Sequence, residues 1–250
     1  MVALITGASS GMGKDMAYIL SNMGYDLILV ARRKDRLEKL KNELKTKTEI
    51  YDYDLSNIDN CYKLYDKTKN KNIDILINNA GFGLVGNFIE TDLDRELNMI
   101  DLNIKSLHTL TKLYLKDFIK RDSGYILNIA SSAAFQPGPL MATYYGTKAY
   151  VLRLTEALYE ELRRINSKVY IGCLCPGPVD TEFNDVANVK FSLKGLKSYD
   201  VAKYAIKNMF KRKLVIIPGT IMKLNVMFNR FIPRKILLRL AYNIQSSKID

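Results

Sequence analysis

The feature that most constrains the fold is a regular alternation between short apolar runs and longer amphipathic segments. Seven apolar runs are predicted to form buried strands, at 2–6, 26–31, 49–53, 73–77, 125–130, 168–175 and 214–217. Between several of them, apolar residues recur every three or four positions, which predicts helices at 12–23, 34–44, 58–69, 91–121 and 143–164. This alternation is typical of an α/β fold in which helices cover both faces of a doubly wound parallel sheet of about seven strands.

The charge of the chain is concentrated near its end. The net charge is +12, yet residues 1–189 hold 24 basic and 24 acidic residues, whereas residues 190–250 hold 14 basic and two acidic ones. We therefore expect a neutral dinucleotide-binding catalytic domain over 1–218 and a basic, helical C-terminal extension over 219–250. Nucleic-acid binding is not predicted, because the basic residues are not interleaved with aromatic residues as a base-stacking platform requires.

Cysteine and histidine are scarce, which excludes several classes of site. Three cysteines without a CxxC pair and the single histidine, His108, predict no zinc or other metal site. The N-terminus enters a strand-like run directly, and no apolar stretch approaches the roughly 18–20 residues that span a bilayer. The expected location is cytoplasmic, with reduced thiols.

A glycine-rich turn separates the first predicted strand from the first helix. Glycines there allow a tight turn and a close backbone approach to a phosphate, and the helix N-terminus favours negative charge. The turn also satisfies the GxSxG pattern of hydrolases, but no late histidine is available to complete a triad. We predict a Rossmann-like site for a dinucleotide pyrophosphate, formed by residues of this turn: Gly7, Ser9, Ser10, Gly11, Met12 and Gly13.

The residues after the second predicted strand indicate which nucleotide is bound. NAD-binding folds usually place a carboxylate there to accept hydrogen bonds from the ribose 2′-hydroxyl. This chain instead has Arg32 and Arg33, whose guanidinium groups suit a 2′-phosphate. NADP(H) is therefore the predicted cofactor, with Arg32 as the first choice for the phosphate contact and Arg33 as the second.

A tyrosine and a lysine four residues apart are the strongest candidates for proton chemistry. On a helix, Tyr144 and Lys148 lie on one face, where the ammonium would lower the tyrosine pKa toward the range useful for exchange with a carbonyl or alcohol oxygen. Tyr145 is the alternative tyrosine. Ser131 follows the fifth strand, at the sheet edge where ligands bind, and would hold a substrate carbonyl; Ser132 competes for that role.

Together these motifs resemble the short-chain dehydrogenase/reductase family over about residues 2–218. The resemblance rests on the glycine turn, Asp54-Leu55 after the third strand, Asn78-Asn79-Ala80-Gly81 after the fourth, Asn103, Ser131, Tyr144-x-x-x-Lys148, and the run from Pro176 to Thr181. One departure is Ser10, where many NADP-using members carry a basic residue.

The resemblance implies a role for each matching position. Tyr144 would be the general acid/base, Lys148 would hold the nicotinamide ribose, Ser131 would orient the substrate oxygen, and Asn103 would anchor a proton-relay water at a helix irregularity. The remaining matches would contact the cofactor: Asp54, Leu55, Asn79, Ala80, Gly81, Pro176, Gly177, Val179 and Thr181.

The expected activity is hydride transfer between NADP(H) and an apolar ketone, 3-oxoacyl chain or secondary alcohol. A mobile apolar lid is expected over 182–199, and Phe82, Phe135, Leu140 and Met141 are expected at the pocket mouth. The alternative is a non-catalytic nucleotide sensor that acts through its basic end, although such a protein need not keep all four catalytic positions.

The C-terminal extension is predicted to contain two helical pieces separated by Pro233. The second is a basic amphipathic helix, which suits packing on the pocket or a second subunit, an anionic membrane surface, or an acidic acyl carrier. The resemblance also implies a homodimer or homotetramer, assembled through the two longest helices.

Overall fold

The computed structural model describes residues 1–183, 195–229 and 231–246. Nine strands lie within these ranges: β1 (Val2–Thr6), β2 (Asp26–Val30), β3 (Thr48–Tyr51), β4 (Ile73–Asn78), β5 (Tyr125–Ile129), β6 (Tyr170–Leu174), β7 (Val179–Asp180), β8 (Leu196–Lys197) and β9 (Val215–Ile216). Seven of them form one parallel sheet in the order β3-β2-β1-β4-β5-β6-β9, which confirms the predicted doubly wound fold.

Helices cover both faces of this sheet. Those described are α1 (Gly11–Asn22), α2 (Lys34–Glu43), α3 (Ile58–Thr68), α4 (Leu93–Ile100), α5 (Leu107–Lys120), α6 (Ala142–Arg164), α7 (Ser198–Phe210), α8 (Thr220–Phe228) and α9 (Arg234–Ser246). The predicted bounds agree within a few residues, and Pro233 separates α8 from α9 as expected. Helix α7 was not predicted, and it packs against α1 on one face of the sheet.

The core follows from the alternation of side chains along each buried strand. In β1, Ala3 and Ile5 join the apolar cluster under α1 and α7, whereas Leu4 between them joins the cluster under α3 and α5. All three are completely buried. Because the sheet is covered on both sides, its strands are continuous apolar runs, which explains why the sequence marked them clearly.

The strand order places the site. The chain passes from β1 outward to β2 and β3, then returns to β4 on the other side of β1. Crossovers therefore leave in opposite directions from the adjacent strands β1 and β4, which opens a crevice beyond their carboxyl ends.

The predicted lid lies partly outside the described residues. Its central part, including Phe191 and Leu193, falls within 184–194. On either side, Val179 and Asp180 of β7 pair in parallel with Leu196 and Lys197 of β8, so the two ends of the segment lie together. Helix α7 begins at Ser198, so the last two residues of the expected lid are helical instead.

Candidate active site

A single large cavity of about 840 Å³ runs along the carboxyl edge of the sheet, among the residues that the structure describes. It begins at the glycine turn after β1, passes the ends of β4 and β5, and ends beneath α8 and α9. Most of the predicted site residues line it: Gly7, Ser9, Ser10, Gly11, Met12, Arg32, Arg33, Asp54, Leu55, Asn79, Ala80, Gly81, Ser131, Tyr144, Lys148, Pro176, Gly177, Val179 and Thr181.

Two predicted residues act from behind the cavity wall. Gly13 is buried in α1, and a Cβ there would overlap the Gly7 carbonyl oxygen and the Asn79 side-chain nitrogen. Asn103 is 1% exposed and lies behind Gly81, where a Cβ would stand 2.8 Å from Asn103 Oδ1. Neither contacts the open space directly, so both shape the backbone that does.

The glycine turn is tied to the end of β4 by Thr6 and Asn79. The backbone amides of Asn79 and Ala80 each donate a hydrogen bond to Thr6 Oγ1, at a distance of 3.0 Å. In return, Asn79 Nδ2 donates to the carbonyl oxygens of Thr6 and Gly7, at 3.0 and 3.1 Å. Gly7 adopts a φ of +65°, and a Cβ there would stand 2.8 Å from Ala80 Cα, so only glycine fits.

The N-terminus of α1 faces the cavity with its amides available. Its N-cap residue, Ser10, makes no capping hydrogen bond through its side chain, and the first turn carries no acidic residue. The first amides of a helix lack partners within the helix and carry partial positive charge. This end of the cavity therefore has the partial charge and the open amides that suit a phosphate group.

Arg33 connects this turn to the end of β2. Its guanidinium donates hydrogen bonds to Ser10 Oγ at 2.9 Å and to Ser9 Oγ at 3.2 Å. It also forms a 2.8 Å ion pair with Glu182, a carboxylate that pairs with Arg36 as well. These cations lower the pKa of Glu182 chiefly through their hydrogen bonds to it. Arg32 is more exposed and lies 4.0 Å from Asp54 Oδ2.

Tyr144 lies in the first turns of α6 and is almost completely buried. Burial raises its pKa well above the usual range, while a hydrogen bond with the Ser131 side chain acts in the opposite direction. The sequence suggested that Lys148 lowers the pKa of Tyr144; in this structure burial raises that pKa instead, and the lowering contribution comes from Ser131. Tyr145 lies in the same cavity wall, but its hydroxyl pairs with Gln245 of α9.

Ser131 ends the run after β5 and begins a short 3₁₀ helix, Ser132–Phe135. Its Oγ accepts a hydrogen bond from the Ala133 amide at 3.2 Å and lies 3.5 Å from the Pro176 carbonyl oxygen. Ser132 also lines the cavity, but it is the Ser131 hydroxyl that is near enough to Tyr144 to act on its pKa. Of the two serines, Ser131 is therefore placed to share a substrate oxygen with Tyr144.

Lys148 lies one turn after Tyr144 on the same face of α6, and it is 5% exposed. Its ammonium donates a hydrogen bond to the Ile129 carbonyl oxygen at 2.9 Å. Burial lowers the pKa of Lys148 to about 8, so that the side chain titrates close to neutral pH. A buried lysine whose pKa is this low, beside a buried tyrosine, is a common mark of a functional site.

Asn103 occupies a π-helical segment, Asp101–Ser106, between α4 and α5. Its amide exchanges hydrogen bonds with the backbone of Phe82, at 2.9 and 3.1 Å, and donates to Thr147 Oγ1 at 3.1 Å. The irregularity expected at this position is thus present. Such a segment frees backbone groups from their regular partners and is frequent at functional sites.

The far half of the cavity is mostly apolar, and its roof comes from the C-terminal helices. The sequence did not assign these lining residues to the site: Met222, Asn225, Val226, Asn229, Ile232, Leu237, Leu240, Ala241, Ile244 and Gln245. Phe82 and Met141 line this half as expected. Phe135 and Leu140 do not; Phe135 packs instead against the cluster that contains Val151 and Leu152.

Comparison with known proteins assigns the family. The model of the short chain dehydrogenase family matches residues 1–190, so this chain is a member of the short-chain dehydrogenase/reductase family and an oxidoreductase of that class. An uncharacterized oxidoreductase of Staphylococcus epidermidis is 36% identical over 188 residues, which cover 74% of this chain and 80% of that protein.

Solved structures agree with this assignment. A short-chain dehydrogenase from Sphingobium yanoikuyae, in complex with NADPH, is 30% identical with a TM-score of 0.83, and the match covers 92% of this chain and 93% of that one. A bulky-bulky ketone specific alcohol dehydrogenase from Comamonas testosteroni is 27% identical with a TM-score of 0.79, covering 92% and 91%.

Proposed function

We propose that the chain is an NADP(H)-dependent carbonyl reductase or alcohol dehydrogenase that acts on an apolar substrate. The observation that carries this proposal is the meeting of Tyr144, Ser131 and Lys148 at the middle of one cavity, between a phosphate-binding turn and an apolar chamber. A dinucleotide bound along the first half would end beside these three side chains. A substrate bound in the second half of the cavity would then lie next to the nicotinamide end of the dinucleotide.

The residues present fit a nicotinamide dinucleotide. The α1 N-terminus and the Gly7 turn suit its pyrophosphate, and Asp54, Leu55, Asn79, Ala80 and Gly81 line the adjoining wall. Pro176, Gly177, Val179 and Thr181 line the cavity as well, with Thr181 beside Gly11 of the turn. When bound, the cofactor would supply or accept the hydride.

NADP(H) is preferred over NAD(H) because cations, rather than a carboxylate, follow β2. Arg33 already holds the oxygens of Ser9, Ser10 and Glu182, so its guanidinium points into an oxygen-rich corner of the cavity. A 2′-phosphate would be a stronger acceptor than any of these. Arg33 therefore becomes the first choice for this contact, with Arg32 beside it.

The side chains would then handle the proton. Tyr144 keeps its hydroxyl proton at neutral pH, because burial raises its pKa, and so it can protonate the oxygen of a ketone under reduction. Ser131 would donate to the same oxygen and hold it in place. Lys148, as an ammonium, would favour the phenolate left after the transfer.

Asn103 and its partners would support this arrangement. The hydrogen bonds of Asn103 to Phe82 hold the Ala80–Phe82 segment against the Tyr144 turn of α6, and its contact with Thr147 joins that helix directly. In the family, the equivalent position anchors a water that carries the proton onward. The π-helical geometry at Asn103 supports the same role here.

The apolar roof supports a bulky hydrophobic substrate. Met141, Phe183, Val226 and Leu237 line the half of the cavity beyond Tyr144, where only a few amide side chains could replace the water lost by a charged or hydroxyl-rich substrate. The Comamonas testosteroni neighbour is described as specific for bulky-bulky ketones. A ketone or a 3-oxoacyl chain therefore fits this chain better than a sugar.

We predict that the chain assembles into a homodimer or a homotetramer. Leu93 and Leu97 lie on α4, within the first of the two long helices that were expected to form the interface, and their exposed apolar side chains support that expectation.

The test is NADPH oxidation with a panel of bulky aryl ketones, 3-oxoacyl thioesters and small diketones, compared with NADH at equal concentration. The proposal expects turnover of at least one apolar carbonyl with NADPH. Binding of NADPH without turnover of any member would favour the nucleotide sensor instead. Turnover of polar hydroxyketones alone would contradict the apolar substrate class.

A further inference from the structure

The outer surface of the C-terminal helices exposes an unusual number of large apolar side chains. On α8, Ile221 is 77% exposed and Phe228 57%; Phe231, in the connection to α9, is 78% exposed. On α9, Ile236 and Leu240 are 49% and 46% exposed. We call these side chains, together with the cations of α9, the C-terminal face. Isolated exposed apolar residues are ordinary, but this many in about twenty residues mark an interaction site.

Helix α8 has one side that lines the cavity and an opposite side that is exposed to solvent. In α8, Met222 and Val226 line the cavity, while Ile221, Leu224 and Phe228 share the opposite side at spacings of three and four. The outer residues are therefore not part of the cavity core. They stay exposed although the inner residues already hold the helices in place.

The charge of this region has one sign. No acidic residue occurs from Val201 to Ile249, whereas Arg234, Lys235 and Arg239 lie on α9 and are all exposed. Basic residues beside exposed Phe, Leu and Ile side chains are the composition of helices that lie in the plane of a membrane interface.

We propose that the C-terminal face docks the protein on an anionic lipid bilayer. Its apolar side chains would enter the boundary between headgroups and acyl chains, and the cations of α9 would meet lipid phosphates. A second copy of the chain is a poorer occupant, because a two-fold interface would bring the same cations together without any acidic partner. Among the described residues, none of the helices has the length and apolar character of a membrane span.

The face is continuous with the rim of the cavity. Leu240 lines the cavity and is also 46% exposed, and Asn225 likewise lines it while exposed to solvent. Docking would therefore bring the rim of the cavity close to the acyl chains. The docking proposal does not rest on the proposed function, since it concerns a surface and can be measured without turnover.

The first test is flotation of the full-length protein with vesicles of phosphatidylcholine alone or with one third phosphatidylglycerol, at low and high salt. We expect binding to the anionic vesicles, weakened at 0.5 M salt, and little binding to the neutral ones. The Lys235→Glu/Arg239→Glu double variant is expected to lose at least tenfold in partitioning, since each cation near such a surface contributes roughly fivefold.

A matched control reverses two exposed lysines elsewhere. Lys63 and Lys67 also lie four residues apart on a helix, α3, and they give the same change in net charge. Lys63→Glu/Lys67→Glu is expected to float almost like the wild type. Equal loss in both double variants would show that only net charge matters, and it would overturn a specific docking face.

The apolar half is tested by Phe228→Ser/Phe231→Ser against Met23→Ser/Ile165→Ser. All four side chains are exposed, so neither double variant should unfold the protein. The first is expected to abolish flotation and the second to preserve it. Flotation unchanged in the first variant, no flotation of the wild type, or a wild-type dimer that this variant splits into monomers would each overturn the proposal.

Discussion

The ammonium of Lys148 lies 5.8 Å from the centre of the Tyr144 ring and donates a hydrogen bond to the Ile129 carbonyl oxygen. Lys148, one helical turn after Tyr144, therefore lies between the tyrosine ring and Ile129, the last residue of β5. Both side chains are buried, and burial moves their pKa values in opposite directions, up for the phenol and down to about 8 for the ammonium. Each therefore resists becoming charged, which has measurable consequences.

Ketone reduction is expected to slow as the pH rises through about 8. Below that value Lys148 is an ammonium, and above it the side chain loses the proton that favours the Tyr144 phenolate after transfer. The kcat/KM for reduction, which reports on the free enzyme, should be level near pH 6.5 and fall about tenfold per pH unit well above 8. A level profile up to pH 9.5 would contradict this role for Lys148.

Replacement of the buried lysine is expected to stabilise the protein while it destroys activity. Holding the ammonium at pH 7 with a pKa near 8 instead of about 10.4 costs about 3 kcal/mol, and the lost hydrogen bond to Ile129 is worth about 1 kcal/mol. Lys148→Met should therefore raise the free energy of unfolding by about 2 kcal/mol.

The pH dependence checks the cause of that gain. A lysine whose folded pKa is depressed binds fewer protons in the folded chain than in the unfolded one between pH 8 and about 10.4, so wild-type stability rises with pH across that window. Urea unfolding at pH 7 and pH 9.5 should show the gain of Lys148→Met shrinking at the higher pH. An unchanged gain would mean that packing, not charge, explains it.

Arg33 is expected to select NADPH over NADH. Arg33→Ala should weaken NADPH binding about 10- to 100-fold, the effect of losing charge-assisted hydrogen bonds to a phosphate, and NADH binding less than threefold. Arg32→Ala should give the same pattern with a smaller change, because its side chain is more exposed. Fluorescence titration of both cofactors measures this, and equal losses for the two would contradict the 2′-phosphate contact.

Glu182 is expected to compete with the cofactor for the same guanidinium. Its carboxylate pairs with Arg33 at 2.8 Å in a partly exposed site, where such pairs contribute about 0.2–1 kcal/mol. Glu182→Gln should therefore tighten NADPH binding by up to about fivefold and leave NADH binding unchanged. Weaker NADPH binding in this variant would show that Glu182 helps to form the site rather than competing for it.

Gly13 and Gly146 differ in whether a Cβ atom would fit, so alanine substitutions at the two positions can be compared directly. Gly13→Ala would force a Cβ onto the Gly7 carbonyl oxygen, so it should lower the melting temperature and weaken cofactor binding. Gly146, in α6, has open space around its Cβ position, and Gly146→Ala should stabilise the protein by about 0.5–1 kcal/mol through helix propensity. Calorimetry on the two variants compares them, and a similar effect in both would contradict the tight packing at Gly13.

The sequence predicted the strands and the site edge well because each depends on local pattern. Buried parallel strands such as Ile73–Asn78 are continuous apolar runs, and residues that follow them must meet at one edge of the sheet. Ser131 could therefore be placed at the ligand-binding edge of the sheet from the sequence, and the family resemblance added Asn79 to the cofactor wall. The short strand Val215–Ile216 was also recognisable by the same rule.

The parts that the sequence missed depend on long-range packing. Helix α7 is buried by contact with α1, which lies nearly 190 residues earlier in the chain. The roof of the cavity likewise comes from Val226 and Leu237, whose apolar spacing predicted helices but could not say which surface they cover. Our proposal of Arg33 rather than Arg32 likewise rests on the contacts of Arg33 with Ser10 and Glu182, since nothing in the sequence distinguishes two adjacent arginines.

In the proposed reaction Tyr144 transfers the proton and does not merely complete the cavity wall. Tyr144→Phe removes one oxygen and keeps the ring that packs against Phe183 at 5.5 Å between centres. The measurement is NADPH binding and ketone reduction in the same preparation of this variant. We expect an NADPH dissociation constant within about threefold of the wild type and reduction lowered by at least about 10³-fold. Reduction within tenfold of the wild type would contradict it.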